Sequence, residues 1–157
     1  MWYSTSIEGF NYKEFADEMF EQAKVLLSAD IKGNNREYVL NTIYHFTKQY
    51  GEILYNDDNL DLKTDDAIFI SQIIAEWSWH KSVDLTYSDI PKEYWDSIMQ
   101  KIAYFVYETA ICEIDKIKRI EKIEQAVNAT WQECIENLCK NGIISKYVTG
   151  LLYEKKK

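Results

Sequence analysis

From Lys92 to Asn141 the chain contains no glycine and no proline, and the whole sequence holds only five glycines and one proline. Sheets need such residues at frequent turns, whereas helices are stopped by them. Because the apolar residues recur at spacings of three and four, a chain this poor in breakers is committed to helix. The fold class read from the sequence is all-α, a single-domain bundle of about six helices. A length of 157 residues with 46% hydrophobic content is enough for one core without disulfides or metals.

Local signals place the boundaries. Asn11 followed by Glu14 reads as a capping box, and Phe15, Met19, Phe20, Ala23, Leu26 and Leu27 then share a face up to Gly33. Asn34 with Glu37 repeats the pattern ahead of Val39, Ile43, Phe46, Tyr50, Ile53 and Leu54. Thr64, Asp65 and Asp66 open a third helix, and Pro91 fits the first turn of a fourth. Beyond it the stripe Ile98, Ile102, Phe105, Thr109, Cys112 loses phase, and a new one starts at Ile120, which predicts a break at 115–120. Asn141-Gly142 is a left-handed helix exit. The expected elements are an N-terminal arm at 1–10 and helices at 11–32, 34–55, 64–87, 91–115, 120–141 and 145–154.

Two helices carry more apolar residues than one face needs. On the fourth, Tyr104, Tyr107, Ile111 and Ile114 form a second stripe, so helix 92–115 is expected at the centre of the bundle. On the second, Leu40, Tyr44, Gly51 and Tyr55 form an extra stripe, so that one of these two surfaces is available instead as a contact with another chain.

A formal net charge of −8 disfavours phosphate backbones and anionic lipid, so no nucleic acid and no membrane partner is expected. Cys112, Cys134 and Cys139 form no even framework and no Cys-x-x-Cys pair, which favours reduced thiols and a cytoplasmic setting. Residues 1–6 lack the pattern of a secretory leader, and no segment approaches the roughly 20 apolar residues of a bilayer span. The sequon at Asn128 then reads as accidental.

The densest chemistry lies on the third helix. Phe69, Ile70, Ile73 and Trp77 define an expected core face; His80 and Asp84 fall within it and Glu76 on its edge, the three spaced i, i+4, i+8, with Glu108 on the next helix. These four are the candidate ligand or metal set. A Glu-x-x-His pair of the kind found in carboxylate-bridged di-metal bundles is absent, and neither a metal nor a cofactor is assigned. The structural alternative, a His80–Asp84 hydrogen bond near the end of a buried face, is preferred. Asp57-x-Asn59-x-Asp61 opens like a calcium loop, but Leu62 and Ile68 stand where glycine and glutamate are required, so a solvated turn is expected. Cys134 lies on an apolar stripe as a core thiol.

With no catalytic motif, the sequence favours a non-enzymatic interaction protein that holds a protein partner, preferably a basic one, or forms a homo-oligomer. Its means are acidity and an aromatic fraction of 15%, with Tyr44, Tyr55, Trp79, Tyr104 and Tyr107 as candidate surface. The alternative is a small-molecule or metal site between the third and fourth helices.

Overall fold

The computed structural model describes residues 11–56 and 64–145, and these are all-helical. Among them lie five helices: α1 Tyr12–Leu26, α2 Gly33–Asn56, α3 Thr64–Thr86, α4 Trp95–Cys112 and α5 Lys116–Lys140, with a 3-10 turn at Lys92–Tyr94 leading into α4. The arm at 1–10 and the calcium-like loop lie outside the described residues, as does all of the expected sixth helix beyond Ser145.

Each boundary has a local cause. Asn11 caps α1 as expected, its side chain accepting from the amides of Lys13 and Glu14 at 3.0 and 3.1 Å. The helix stops at Leu26 instead of continuing to Gly33, because the link that follows turns both Leu27 and Ile31 into the core. Gly33, at φ +59°, starts α2 one residue ahead of the expected Asn34. The break before α5 falls at 113–115 instead of 115–120: Asp115 accepts from the amides of Ile117 and Lys118 at 2.9 and 3.1 Å. A capping carboxylate thus overrides the apolar phase, which had placed the start at Ile120. Gly142, at φ +74°, ends α5, and its amide and that of Ile143 return to the carbonyls of Cys139 and Leu138.

Side-chain pairs fix the helix directions. The Tyr12 and Tyr55 rings lie 5.8 Å apart, and Arg36 donates to the Lys24 carbonyl at 2.6 Å, so α1 and α2 are antiparallel. Tyr38 meets Trp95 at 5.0 Å and Tyr50 meets Tyr107 at 4.9 Å, so α2 and α4 are parallel. Asp66 pairs with Arg119 at 3.4 Å and Lys81 lies 4.7 Å over the Trp131 ring, so α3 and α5 are parallel. The result is an up-down bundle with neighbours joined by short links.

The central helix is α3, not the expected 92–115. Its Ile68 and Ala75 belong to a core shared with α1 and α2, while its Ile70, Ile73, Ile74 and Leu85 belong to a second core shared with α2, α4 and α5. A helix between two cores must be apolar or small nearly all round, and Ser71, Ser78 and Ser82 supply the small side chains that let neighbours approach. On α4 a single face is buried, running through Ile98, Met99, Ile102, Val106 and Ala110. Phe105 and Cys112, expected inside, are exposed. The extra stripe of α2 is covered by α1: Leu40 is core, Tyr44 meets Phe20 edge-on at 6.0 Å, and Gly51 backs onto Tyr12.

Candidate functional site

The four residues singled out as a ligand set go to three different places. Asp84 turns inward, where its carboxylate lies 3.3 Å from the ammonium of Lys81, a lysine that is only 3% exposed. That ammonium also sits over Trp131. The expected partner of Asp84 was His80, but His80 is exposed, its ring 6.0 Å from Trp77. The reason is geometric: with α3 buried through Ile70, Ile74, Ser78, Lys81 and Leu85, the positions of Glu76 and His80 fall on the outer side. These two do come together, on the wall of an open groove of about 360 Å³ between α3 and α5, with Phe69, Trp77 and Ile120. Glu108 is elsewhere, half-buried on α4 beside Tyr104. Among the described residues no three His, Cys, Asp or Glu side chains are placed to hold a metal ion.

The aromatic candidates separate by burial. Tyr107 is buried against Tyr50, and Tyr44 and Trp79 are half-buried against the core around α1. Tyr55 is exposed near the C-terminal end of α2, beside Tyr12. Tyr104 is 47% exposed, and its neighbour Phe105, read from sequence as core, is 43% exposed. Their rings meet edge-on at 5.3 Å. An α-helix presents consecutive residues about 100° apart, so one well-packed face on α4 leaves both rings outside.

The outward face of α4 is formed by Asp96, Ser97, Gln100, Lys101, Tyr104 and Phe105, and a cleft opens on each side of it. Toward α5, a groove of about 490 Å³ is bounded by Tyr104, Phe105, Thr130, Glu133 and Cys134. Toward α2, a cleft of about 370 Å³ is bounded by Tyr38, Asn41, His45, Phe46 and Asp96. Gln100 borders both.

Electrostatics differ between the two sides. Burial is the main reason that the Tyr38 phenol is held well above the usual tyrosine range; Asp96 pushes it the same way and Thr42 opposes. The Tyr38 hydroxyl is buried beside the Thr42 and Asp96 side chains, which both act on it. On the other side, the neighbouring Glu108 carboxylate, as an acceptor for the phenol, raises Tyr104, and burial raises Tyr50. The Cys134 thiol is raised by burial, as a core thiol should be.

Comparisons with protein families, curated proteins and solved structures found no match.

Two charged residues with structural weight were missed from sequence. Lys81 and Arg119 each lie in a strongly polar-looking context yet are 3% exposed. The available signal for Lys81 was its place three residues from Ser78 and one from Ser82, on the small-residue face of an otherwise apolar helix. The cleft between α2 and α4 had no sequence signal, because its walls come from residues far apart in the chain.

Proposed function

We propose that this chain is a non-enzymatic interaction module that holds a basic protein partner against the outward face of α4. The observation that carries the reading is the Tyr104–Phe105 pair, two large rings left in water side by side on a helix whose other face is fully packed. Burying such a side chain contributes about 1.5–3 kcal/mol, so a partner that covers both gains a substantial apolar anchor. Exposed aromatics of this kind are typical binding hot spots, more so when grooves beside them admit a partner's side chains. The net charge of −8 sets the sign of the partner, and Asp96, Glu108 and Glu133 border the face against Lys101.

The test is a photo-crosslinking residue in place of Gln100, expressed in the protein's own cells. The expected product is one captured protein with a basic surface. Its reconstituted complex should weaken by about tenfold or more for Tyr104→Ala/Phe105→Ala, and it should weaken as salt rises. Equal capture from a crosslinker at Glu18 on the outer side of α1, or a complex indifferent to losing both rings, refutes the reading.

A further inference from the structure

We propose that two copies of this chain meet through the face formed by α3 and α5, with their α5 helices crossing antiparallel about Ile120. This face is separate from the outward side of α4, and the inference stands apart from the basic-partner reading.

Apolar side chains crowd this part of the molecule. Ile114 is 90% exposed, Ile117 73% and Ile120 50%. The half-buried rings of Phe69 and Trp77 continue the surface along α3, and the groove of about 360 Å³ runs between the two helices. Single apolar residues scattered over a surface need no explanation, whereas three isoleucines within seven residues, beside two rings, mark a contact site.

The flanking charges identify what covers it. Lys116 and Glu124 are both exposed, and each stands four residues from Ile120, on opposite sides of it. The three positions share one stripe of α5, yet eight residues span about 12 Å, too far for Lys116 and Glu124 to pair with each other. Neither has an opposite charge three or four places away along α5: Lys116 is followed there by Arg119 and Ile120, and Glu124 is flanked by Ile120, Glu121, Val127 and Asn128. Among the described residues neither takes part in an ion pair. The Lys116 ammonium lies instead 5.6 Å over the Phe69 ring, which lines the groove.

A two-fold axis through Ile120 completes both charges at once. It carries position i−4 of one copy onto position i+4 of the other, so each Lys116 meets the partner's Glu124 while the two Ile120 side chains meet on the axis. The Asp66–Arg119 and Lys81–Trp131 contacts place Glu76 toward the Glu124 end of the same groove, where it adds to the negative half. An isologous contact needs both signs on one patch. A uniformly basic partner would be opposed by Lys116, and a uniformly acidic one by Glu76 and Glu124. The apolar residues are few beside the roughly 20–30 residues a side of a standard interface, which sets the dimer at a Kd on the order of 10–100 µM.

Sedimentation velocity of the full chain, from well below to well above that range, should show monomer giving way to dimer. Ile117→Ser/Ile120→Ser should weaken the dimer more than about tenfold and Lys116→Glu about tenfold, while Lys116→Glu/Glu124→Lys should return it to within about threefold of the unaltered protein. These side chains are exposed and an acid suits the first turn of a helix, so urea midpoints should barely move and a lost dimer is not a lost fold. A chain that stays monomeric throughout overturns the inference. So does a dimer indifferent to Ile117→Ser/Ile120→Ser, or a charge swap that dimerises no better than Lys116→Glu alone. Amide shifts at residues 1–10 on Ile117→Ser/Ile120→Ser, at a concentration where the protein is monomeric, mean that the chain's own arm covers the face and overturn it as well.

Discussion

Arg119 ties together three helix ends, and replacing it by alanine is expected to be among the most damaging single changes in the chain. Its side chain is only 3% exposed. Nε donates to the Glu113 carbonyl at the end of α4 at 2.6 Å, one terminal nitrogen lies 3.4 Å from Asp66 in the first turn of α3, and the guanidinium sits 5.5 Å over Phe69. The charge-assisted bond to a carbonyl contributes about 1.5–3 kcal/mol and the ring contact about 0.5–1. The Asp66 pair is partly solvated, its carboxylate side chain 27% exposed, so it adds only about 0.5. With the packing of its stem, Arg119→Ala should cost about 4 kcal/mol, or roughly 8–15 °C in Tm for a chain of this size. Arg119→Lys keeps the charge and stem but loses the Nε donor, and should cost about half as much. Asp66→Asn should cost less than about 1 kcal/mol, and that loss should vanish in high salt. Urea unfolding followed by tryptophan fluorescence measures all three, with an unchanged m-value as the sign that only stability has moved. If Arg119→Ala proves no worse than Asp66→Asn, the carbonyl bond is not holding the α4–α5 turn and the reasoning fails.

Three further outcomes follow from the packing. Gly51→Ala builds a methyl group 2.8 Å from the Tyr12 Cβ, an atom at the root of its side chain that cannot swing aside, so it should cost about 1–3 kcal/mol and loosen α1 first; hydrogen exchange that rises no faster in α1 than elsewhere contradicts this. The Lys122 ammonium, 2.6 Å away, together with the Asp115 amide, holds the Glu113 carboxyl below its usual range. Its contribution to the α4–α5 turn is therefore present above the unfolded carboxyl pKa and is lost as pH falls through the depressed folded value. A carbon-detected titration should show Glu113 moving up in Lys122→Met; no movement removes Lys122 as the main cause. Cys112 is exposed whereas burial raises the Cys134 thiol, so maleimide should label Cys112 in the folded protein and Cys134 only on unfolding; equal rates would mean that the α5 face is open.

Where the sequence was legible, one local interaction decided the outcome. Asn11 and Gly142 act within a few residues of themselves, and both ends fall where capping chemistry puts them. The break before α5 was misplaced because Asp115, an equally local cap, was outvoted by an apolar phase that begins at Ile120, a residue that is itself 50% exposed. The early end of α1 was not readable, since it depends on Leu27 and Ile31 both finding the α1–α2–α3 core. Burial around a helix circumference was harder still. Helices α3 and α4 each offer apolar residues on several sides, and which side faces inward is settled by neighbours the pattern does not contain.

The same physics explains why His80, expected inside, lies outside while its neighbour Lys81 lies inside. A stripe drawn through Phe69, Ile73 and Trp77 runs along the edge of α3, where all three pack against the larger core but Phe69 and Trp77 remain half-buried. Extending that stripe carried His80 inward on paper, while Lys81, one position on, took the buried place beside Asp84 and over Trp131. A long side chain can fill a core position with its stem and lay its charge on an aromatic face, which a short stiff imidazole cannot. Once Lys81 pairs with Asp84, the acidic side chains that remain available to a partner stand on the outside of the helices. Asp96 stands among them on the helix face that carries the two exposed rings. Charge draws a basic partner to the whole surface alike, whereas only a position combining an acceptor, an apolar anchor and a recess fixes where it comes to rest.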